Sequence, residues 1–297
     1  MVNITHKKNT LRKAIAVAHV TFGSPKTSQA IIEQTVPKGN VLEAAKIAAL
    51  FAAKNTSNAI PDCHPLPIEF TEIRFQLNDD SLKIECEIHT IYKTGVEVEA
   101  MYAASVAAIT CYDMLKPIDK QIVVQEIKLL EKSGGKTSQK RLPENLEVGI
   151  VICSNKQEDD EKSSIGYLAK KKFESLGIRI GHFAKVELNS VDIEREFRFC
   201  LESKFNLIIM IGGTGISPND ITTDIINPYI EKRLLGVEES IRSYGQSRTP
   251  YAMLSRSLVG LSGESLVMVL PGSKNGMLES IDAVFPEILH SFWMLKV

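Results

Sequence analysis

SGGKTSQKRLPEN, residues 133–145, lies near the middle of a 297-residue chain and is almost entirely polar. Its glycines free the backbone, while Pro143 lacks an N–H and pushes Leu142 toward an extended conformation. Neither a helix nor a central strand is expected to run through it. The chain on either side falls into two halves, each close to an ordinary domain of roughly 150 residues and large enough to bury its own core.

Composition narrows the class. Hydrophobic residues make up 44% and charged residues 24%, which suits ordinary globular domains. No apolar run approaches the roughly 18–20 residues of a membrane span, and Met1–Arg12 is polar with no signal-like apolar segment. A cytoplasmic location without membrane association is the expectation. The five cysteines (63, 86, 111, 153 and 200) are odd in number and have no Cys-x-x-Cys spacing, so they read as reduced thiols. A formal net charge of -1 offers no general attraction to nucleic acid, so an anionic ligand would need a local basic site.

In the first half, 14–22 reads as a strand, 26–34 as a short helix and 41–55 as an Ala-rich helix capped by Asn40. Two alternating strands, 68–77 and 82–92, flank the turn residues Asn78-Asp79-Asp80. A second Ala-rich helix (97–115) and a strand (122–130) follow. This order predicts a ferredoxin-like α+β domain with an extra helix in its first crossover. Cys63 and His64 sit on a stiff Pro-rich turn, 60–67, which suits either chemistry or a plain connector whose histidine caps a carbonyl. Asp113 and Lys116 share a helix face, as an exposed ion pair or as part of a site. A lysine acting as a base near neutrality would need its pKa lowered by burial or like charges.

The segments KGN (38–40), AAKNTSNAIPDCHPLPI (52–68), YKTGVEVEAMYAASVAAITCYDMLK (92–116) and LLEKSGGK (129–136) together resemble the MoaC-type cyclic pyranopterin monophosphate synthases of molybdenum cofactor biosynthesis. The resemblance covers nearly all of 1–136. It implies conversion of a 3′,8-cyclised GTP derivative into cyclic pyranopterin monophosphate and diphosphate, with no metal or other cofactor, in a homo-hexamer whose sites lie between subunits. It makes Asp113, Lys116 and Lys38 catalytic. Lys54, Asp62, Cys63, His64, Glu97, Val98, Glu99 and Lys132 become substrate-binding. Asp62 stands where an apolar residue is usual and Asn55 where a basic one is usual; Asp62 is expected to contribute mainly backbone contacts.

The second half alternates strands (146–153, 178–186, 206–211) with helices (164–176, 192–202), the pattern of a doubly wound α/β domain with a parallel sheet. Two Gly-rich loops follow apolar strands: GGTGISPND (212–220) before a helical stretch, and LPGSKNG (270–276) before a helix at 277–292. Such loops present N–H groups to an anion, or they are tight turns; Asp220 suits either chemistry or a helix N-cap. Neither the dinucleotide fingerprint nor a P-loop is present.

GGTGISPND and LPGS, with their spacing and strand order, are similar to the MoaB/MogA family of molybdopterin-binding domains over roughly 147–290. The likeness implies that Gly212, Gly213, Thr214 and Gly215 hold the pterin's phosphate. It places Pro271, Gly272 and Ser273 in the same pocket and gives Asp220 a part in adenylyl transfer from ATP, with Mg²⁺ near it. Asn155 and Asn189 occupy positions where active relatives carry acids, which leaves a non-catalytic pterin-binding module as the alternative. The expected layout is a synthase domain at 1–136, a linker at 137–145 spanning at most about 30 Å, and a molybdopterin-binding domain at 146–297. The expected partners are the small molecules themselves: the cyclised GTP derivative, molybdopterin and ATP.

Overall fold

Thr10–Thr21 (β1) buries Ala14, Ala16, Ala18 and Val20 on one face, the period-2 pattern of a half-covered strand. The structure, a computed structural model, describes residues 1–135, 146–155 and 164–295. Lys136, the linker at 137–145 and the charged segment at 156–163 lie outside the described residues. The chain divides into two compact units, Met1–Ser138 and Gln139–Val297.

In the first unit β1 leads through Pro25–Ile32 (α1) to Val41–Lys54 (α2) and the single turn Thr56–Ala59 (α3). Asn40 caps α2 by accepting from the Glu43 N–H at 3.1 Å, as its residue type foretold. Phe70–Leu77 (β2) and Ser81–Tyr92 (β3) form the expected hairpin. Glu97–Leu115 (α4) and Val123–Ser133 (β4) complete the unit. The sheet order β2-β3-β1-β4, antiparallel throughout, is the ferredoxin-like arrangement. Its inner face packs on α2 and α4 through Ala45, Ala49, Ala53, Ala100, Ala103, Ala104, Ala107 and Ala108. Side chains this small bring helix and sheet close together, which explains the alanine-rich composition. The outer face carries ions instead: Glu87 meets Lys13 and Arg74, each at 2.8 Å, and His89 at 2.9 Å. These partners, Lys13 foremost, hold the Glu87 carboxyl down to about 2.

The second unit contains Glu147–Cys153 (β5), Ile165–Ser175 (α5), Arg179–Val186 (β6), Ser190–Glu202 (α6) and Leu207–Ile211 (β7). Thr222–Ile226 (α7), Lys232–Arg233 (β8), Leu235–Gln246 (α8), Leu258–Ser262 (β9), Ser265–Leu270 (β10), Lys274–Val284 (α9) and Ser291–Met294 (α10) follow. The six-stranded sheet runs β6-β5-β7-β10-β9-β8. Both faces are covered: Val148, Ile150 and Ile152 join the cluster that includes α5 and α9, while Val151 and Cys153 join the one that includes α6. The doubly wound class holds, with one correction. Only β6, β5, β7 and β10 are parallel; β9 and β8 turn the edge antiparallel. The hairpin β9–β10 closes through Gly263-Glu264, where Gly263 has φ +56°. Two helical expectations are also corrected: α7 has five residues, and α9 ends at Val284. Pro286 supplies no N–H for a continuing helix.

Candidate functional sites

Three groups of contacts hold most of the residues singled out in the first unit. At the carboxyl end of α4, Asp113 Oδ2 accepts from Lys38 Nζ and its Oδ1 pairs with Lys116 Nζ, both at 2.7 Å. Gly39 (φ +95°) makes the turn that separates Lys38 from the α2 cap, a conformation costly for other residues. Hydrogen bonds from Lys116 and then Lys38 hold the Asp113 carboxyl down to about 2, and Asp113 in turn raises the Lys116 pKa. This runs against the lowered lysine that base catalysis asks for. The clamp holds a carboxylate between cations.

At the amino end of α4 the chemistry differs. Cys63 Sγ donates to Glu99 Oε1 at 3.1 Å. Glu99 is buried, its Oε2 has no partner among the described residues, and burial raises its pKa. Burial, followed by the hydrogen bond to Glu99, pushes the Cys63 thiol up to about 12, so it stays protonated. Nearby in sequence, His64 Nε2 lies 2.8 Å from the Val2 carbonyl, and Asp62 pairs at 2.9 Å with the Met1 amine. A carbonyl only accepts, so His64 Nε2 carries the proton of this bond. The Asp62 side chain therefore has a partner of its own. A third pair, Lys132 Nζ to Glu97 Oε1, spans 3.6 Å. Val98 is exposed beside it, and Lys54 is exposed at the end of α2. Asn55 ends that helix as its C-cap and donates to the Phe51 carbonyl at 2.9 Å.

The two ends of α4 are far apart. Glu99 and Asp113 are separated by fourteen residues of one helix, about 21 Å at 1.5 Å per residue. A single chain does not bring all the expected residues to one point.

In the second unit, β5, β7 and β10 run side by side and end at one edge, where both glycine loops begin. Gly212 N donates to Leu270 O at 2.9 Å, and a Cβ on Gly272 would stand 3.1 Å from Gly212 Cα. At Gly212 (φ +114°) a Cβ would overlap the Cys153 carbonyl oxygen. The loops thus abut as backbone on backbone, which only glycine permits here. Past them the candidate residues diverge. Pro271 and Ser273 line one cavity, whereas Asp220 lines a shallower cleft with Ser217, Asp224 and Arg256.

Asp220 is not the cap of α7; Ile221 holds that position. Its Oδ2 instead accepts from Ser217 Oγ at 2.6 Å and Ser217 N at 3.0 Å, and the hydroxyl contact chiefly lowers its pKa. Ser273 does cap a helix, accepting from the Gly276 N–H at 3.2 Å at the start of α9.

Arg256 is a residue that sequence reasoning missed. Its guanidinium donates to the Gly215 carbonyl at 2.7 Å, to the Asp220 carbonyl and to the Asp224 carboxylate at 2.7 and 2.9 Å. It holds the glycine loop from outside the motif, and nothing in a lone arginine ahead of a strand announces that.

Among the described residues no three His, Cys, Asp or Glu side chains cluster as metal ligands. Mg²⁺ bound with a triphosphate asks for only one or two carboxylates, the rest coming from phosphate and water. Ionised Asp220 fits that demand, whereas Asp224 is engaged by Arg256. Asn155 and Asn189 are engaged as well: Asn155 Oδ1 accepts from Leu188 N at 2.7 Å, and Asn189 caps α6 by accepting from Asp192 N at 2.9 Å. Among the described residues no helix is long and apolar enough to cross a membrane.

Residues 1–135 match the MoaC family, and residues 148–290 match a family described as "Probable molybdopterin binding domain". The chain is 35% identical over 296 residues to the molybdenum cofactor biosynthesis bifunctional protein of Chlorobaculum tepidum, covering 100% of this chain and 94% of that one. It is 31% identical over 273 residues to the cyclic pyranopterin monophosphate synthase of Aquifex aeolicus, with 92% and 91% covered. A Thermoanaerobacter protein of that same name is 45% identical over 139 residues, 46% of this chain and 87% of its own length. The full-length likeness and the two half-length matches agree with both sets of motifs: the chain belongs to the family of molybdenum cofactor biosynthesis bifunctional proteins, a MoaC-type cyclic pyranopterin monophosphate synthase fused to a molybdopterin-binding domain.

Proposed function

We propose that the first unit converts the 3′,8-cyclised GTP derivative into cyclic pyranopterin monophosphate and diphosphate, at sites completed by a second copy of the chain. The observation that carries this is the Lys38–Asp113–Lys116 clamp. Two ammonium groups fixed on one carboxylate can bind phosphate oxygens and give protons to a departing oxygen or nitrogen. Asp113 keeps Lys116 charged until substrate arrives. Buried Glu99, thiol Cys63 and His64 form the opposite end, suited to hydrogen-bonding a heterocycle. The length of α4 keeps those ends apart, so a second copy must supply whichever end is missing. Purified protein given the cyclised GTP derivative should release diphosphate, and Asp113→Asn should remove that activity with the fold intact. Release that persists in Asp113→Asn would refute the role of the clamp.

For the second unit we propose pterin binding at the paired glycine loops and transfer of an adenylyl group from ATP to molybdopterin. Mg²⁺, held through Asp220, would supply neutralisation of triphosphate charge there. The chain's own part is to present loop N–H groups and to keep Asp220 ionised through Ser217. A second reading, binding without transfer, is favoured by the structural bonds that occupy Asn155, which accepts from Leu188 N, and Asn189, which caps α6. Adenylylated product from molybdopterin and Mg-ATP, lost in Asp220→Ala, would support transfer. Binding of molybdopterin with no product would support the module.

A further inference from the structure

Thr222 opens α7 and is wholly buried, yet its Oγ1 has no hydrogen-bond partner among the described residues. A hydroxyl taken out of water without a partner costs free energy, and a valine of nearly the same shape would not incur that cost. The hydroxyl lies directly beneath the first glycine loop. A Cβ on Gly213 would stand 2.3 Å from Thr222 Oγ1 and 3.1 Å from its Cβ. The other groups around it are poor partners: Leu188 Cδ2 would lie 3.0 Å from the same added atom. The Cys153 thiol, pushed up to about 12 by burial against a smaller lowering by Thr222, is near the hydroxyl but outside hydrogen-bond geometry. With the loop as it stands, the Thr222 donor has nowhere to go.

The loop above it can supply the missing acceptor. The Gly212–Gly213 peptide has glycine at both ends, so it can turn about its two Cα atoms without displacing a side chain, and both residues already hold positive φ, +114° and +65°. Gly212 N is fixed on the Leu270 carbonyl, whereas the Gly212 carbonyl and the Gly213 N–H have no partner among the described residues. In a trans peptide the C=O and N–H point in opposite directions. A turn that brings this carbonyl down to Thr222 therefore sends the N–H outward. We propose that Thr222 is a positioning residue for the anion-bound form of the loop: when a pterin's phosphate arrives, the Gly212–Gly213 peptide turns, its carbonyl accepts from Thr222 Oγ1, and its N–H faces the phosphate. The unpartnered hydroxyl of the free protein then contributes to the affinity for the ligand. This inference rests on the pterin-binding reading of the second unit.

Two measurements on the full chain test it: thermal melting without ligand, and isothermal titration with 6-hydroxymethylpterin monophosphate and with unphosphorylated 6-hydroxymethylpterin. Thr222→Val has no bond to lose in the free protein and should melt at or above the parent. Its affinity for the monophosphate should fall about threefold to tenfold, the worth of one hydrogen bond, while its affinity for the unphosphorylated pterin changes by less than about twofold. Thr222→Ser, which restores the hydroxyl, should bind the monophosphate as the parent does. A residue that only packs would move melting and both affinities together. Any binding by the first unit is common to all three proteins and drops out of the comparison. If Thr222→Val fails to fold or melts below the parent, the hydroxyl is already bonded in the free protein. If its monophosphate affinity is unchanged, or falls equally for both pterins, the loop makes no use of the hydroxyl. Each of these results would overturn the inference and leave pterin binding standing, whereas no binding of the monophosphate by the parent would overturn both.

Discussion

Asp113 and Glu99 are carboxyl groups on one helix, and their surroundings push them in opposite directions. Asp113 sits between two ammonium groups and is held down to about 2. Its pairing is complete above its ordinary value of 3.8 and is lost only as the pH falls through about 2. Asp113 therefore contributes no acid limb to diphosphate release between pH 5 and 7, and Asp113→Asn should lower turnover by about 100-fold or more, as expected when a positioned acid–base partner is lost. Glu99 is raised by burial above its ordinary 4.5. Between 4.5 and the raised value the unfolded chain has given up a proton that the folded chain keeps, so stability declines as the pH rises through that window. Glu99→Gln removes the titration. Thermal melts across pH 4–8 should show the parent losing ground to Glu99→Gln with rising pH; parallel curves would contradict the assignment.

At the scale of elements, packing and loop geometry set the tolerances. Ala104 is wholly buried in the cluster that α2 and α4 share with the sheet. Ala104→Leu should cost about 1–3 kcal/mol by overpacking, read from denaturant midpoints. In the second unit Arg256 anchors the glycine loop at the Gly215 and Asp220 carbonyls. Arg256→Ala should weaken pterin phosphate binding by about tenfold through the loss of those charge-assisted bonds, and a variant of full affinity would show that the loop holds itself.

Local patterning makes most elements legible: Asn40 as a cap, the Asn78–Asp80 turn, and the apolar runs of β5, β7 and β10. The antiparallel edge β9–β8 is not legible in the same way, because LVGLS is a short apolar run and β8 has only two residues. The residue types of the clamp are visible as motifs. That Lys38 would reach Asp113, or that Arg256 would reach back to the glycine loop, depends on tertiary proximity that no spacing encodes.

The whole molecule poses the question of how the two ends of α4 come to serve one reaction. The Lys38–Asp113–Lys116 clamp lies at one end and Cys63, His64 and Glu99 at the other, about 21 Å away along the helix axis. The rise of a helix cannot be shortened, so the ends meet only if two chains pair with one chain's clamp facing the other's Cys63–His64 turn. Symmetric association would then make every site a composite. This leads to complementation. Asp113→Asn removes one end and His64→Ala the other, and each homo-oligomer should be nearly inactive. Co-expressed and randomly assembled, the two should recover about a quarter of parental diphosphate release, because each half of a composite site is intact with a chance of about one half. Recovery should also require mixing during assembly, since two separately formed oligomers contain no intact site between them. If the mixed assembly stays as inactive as its parents while both variants remain folded and associated, the composite site is wrong, and the clamp must act with groups from its own end of the helix.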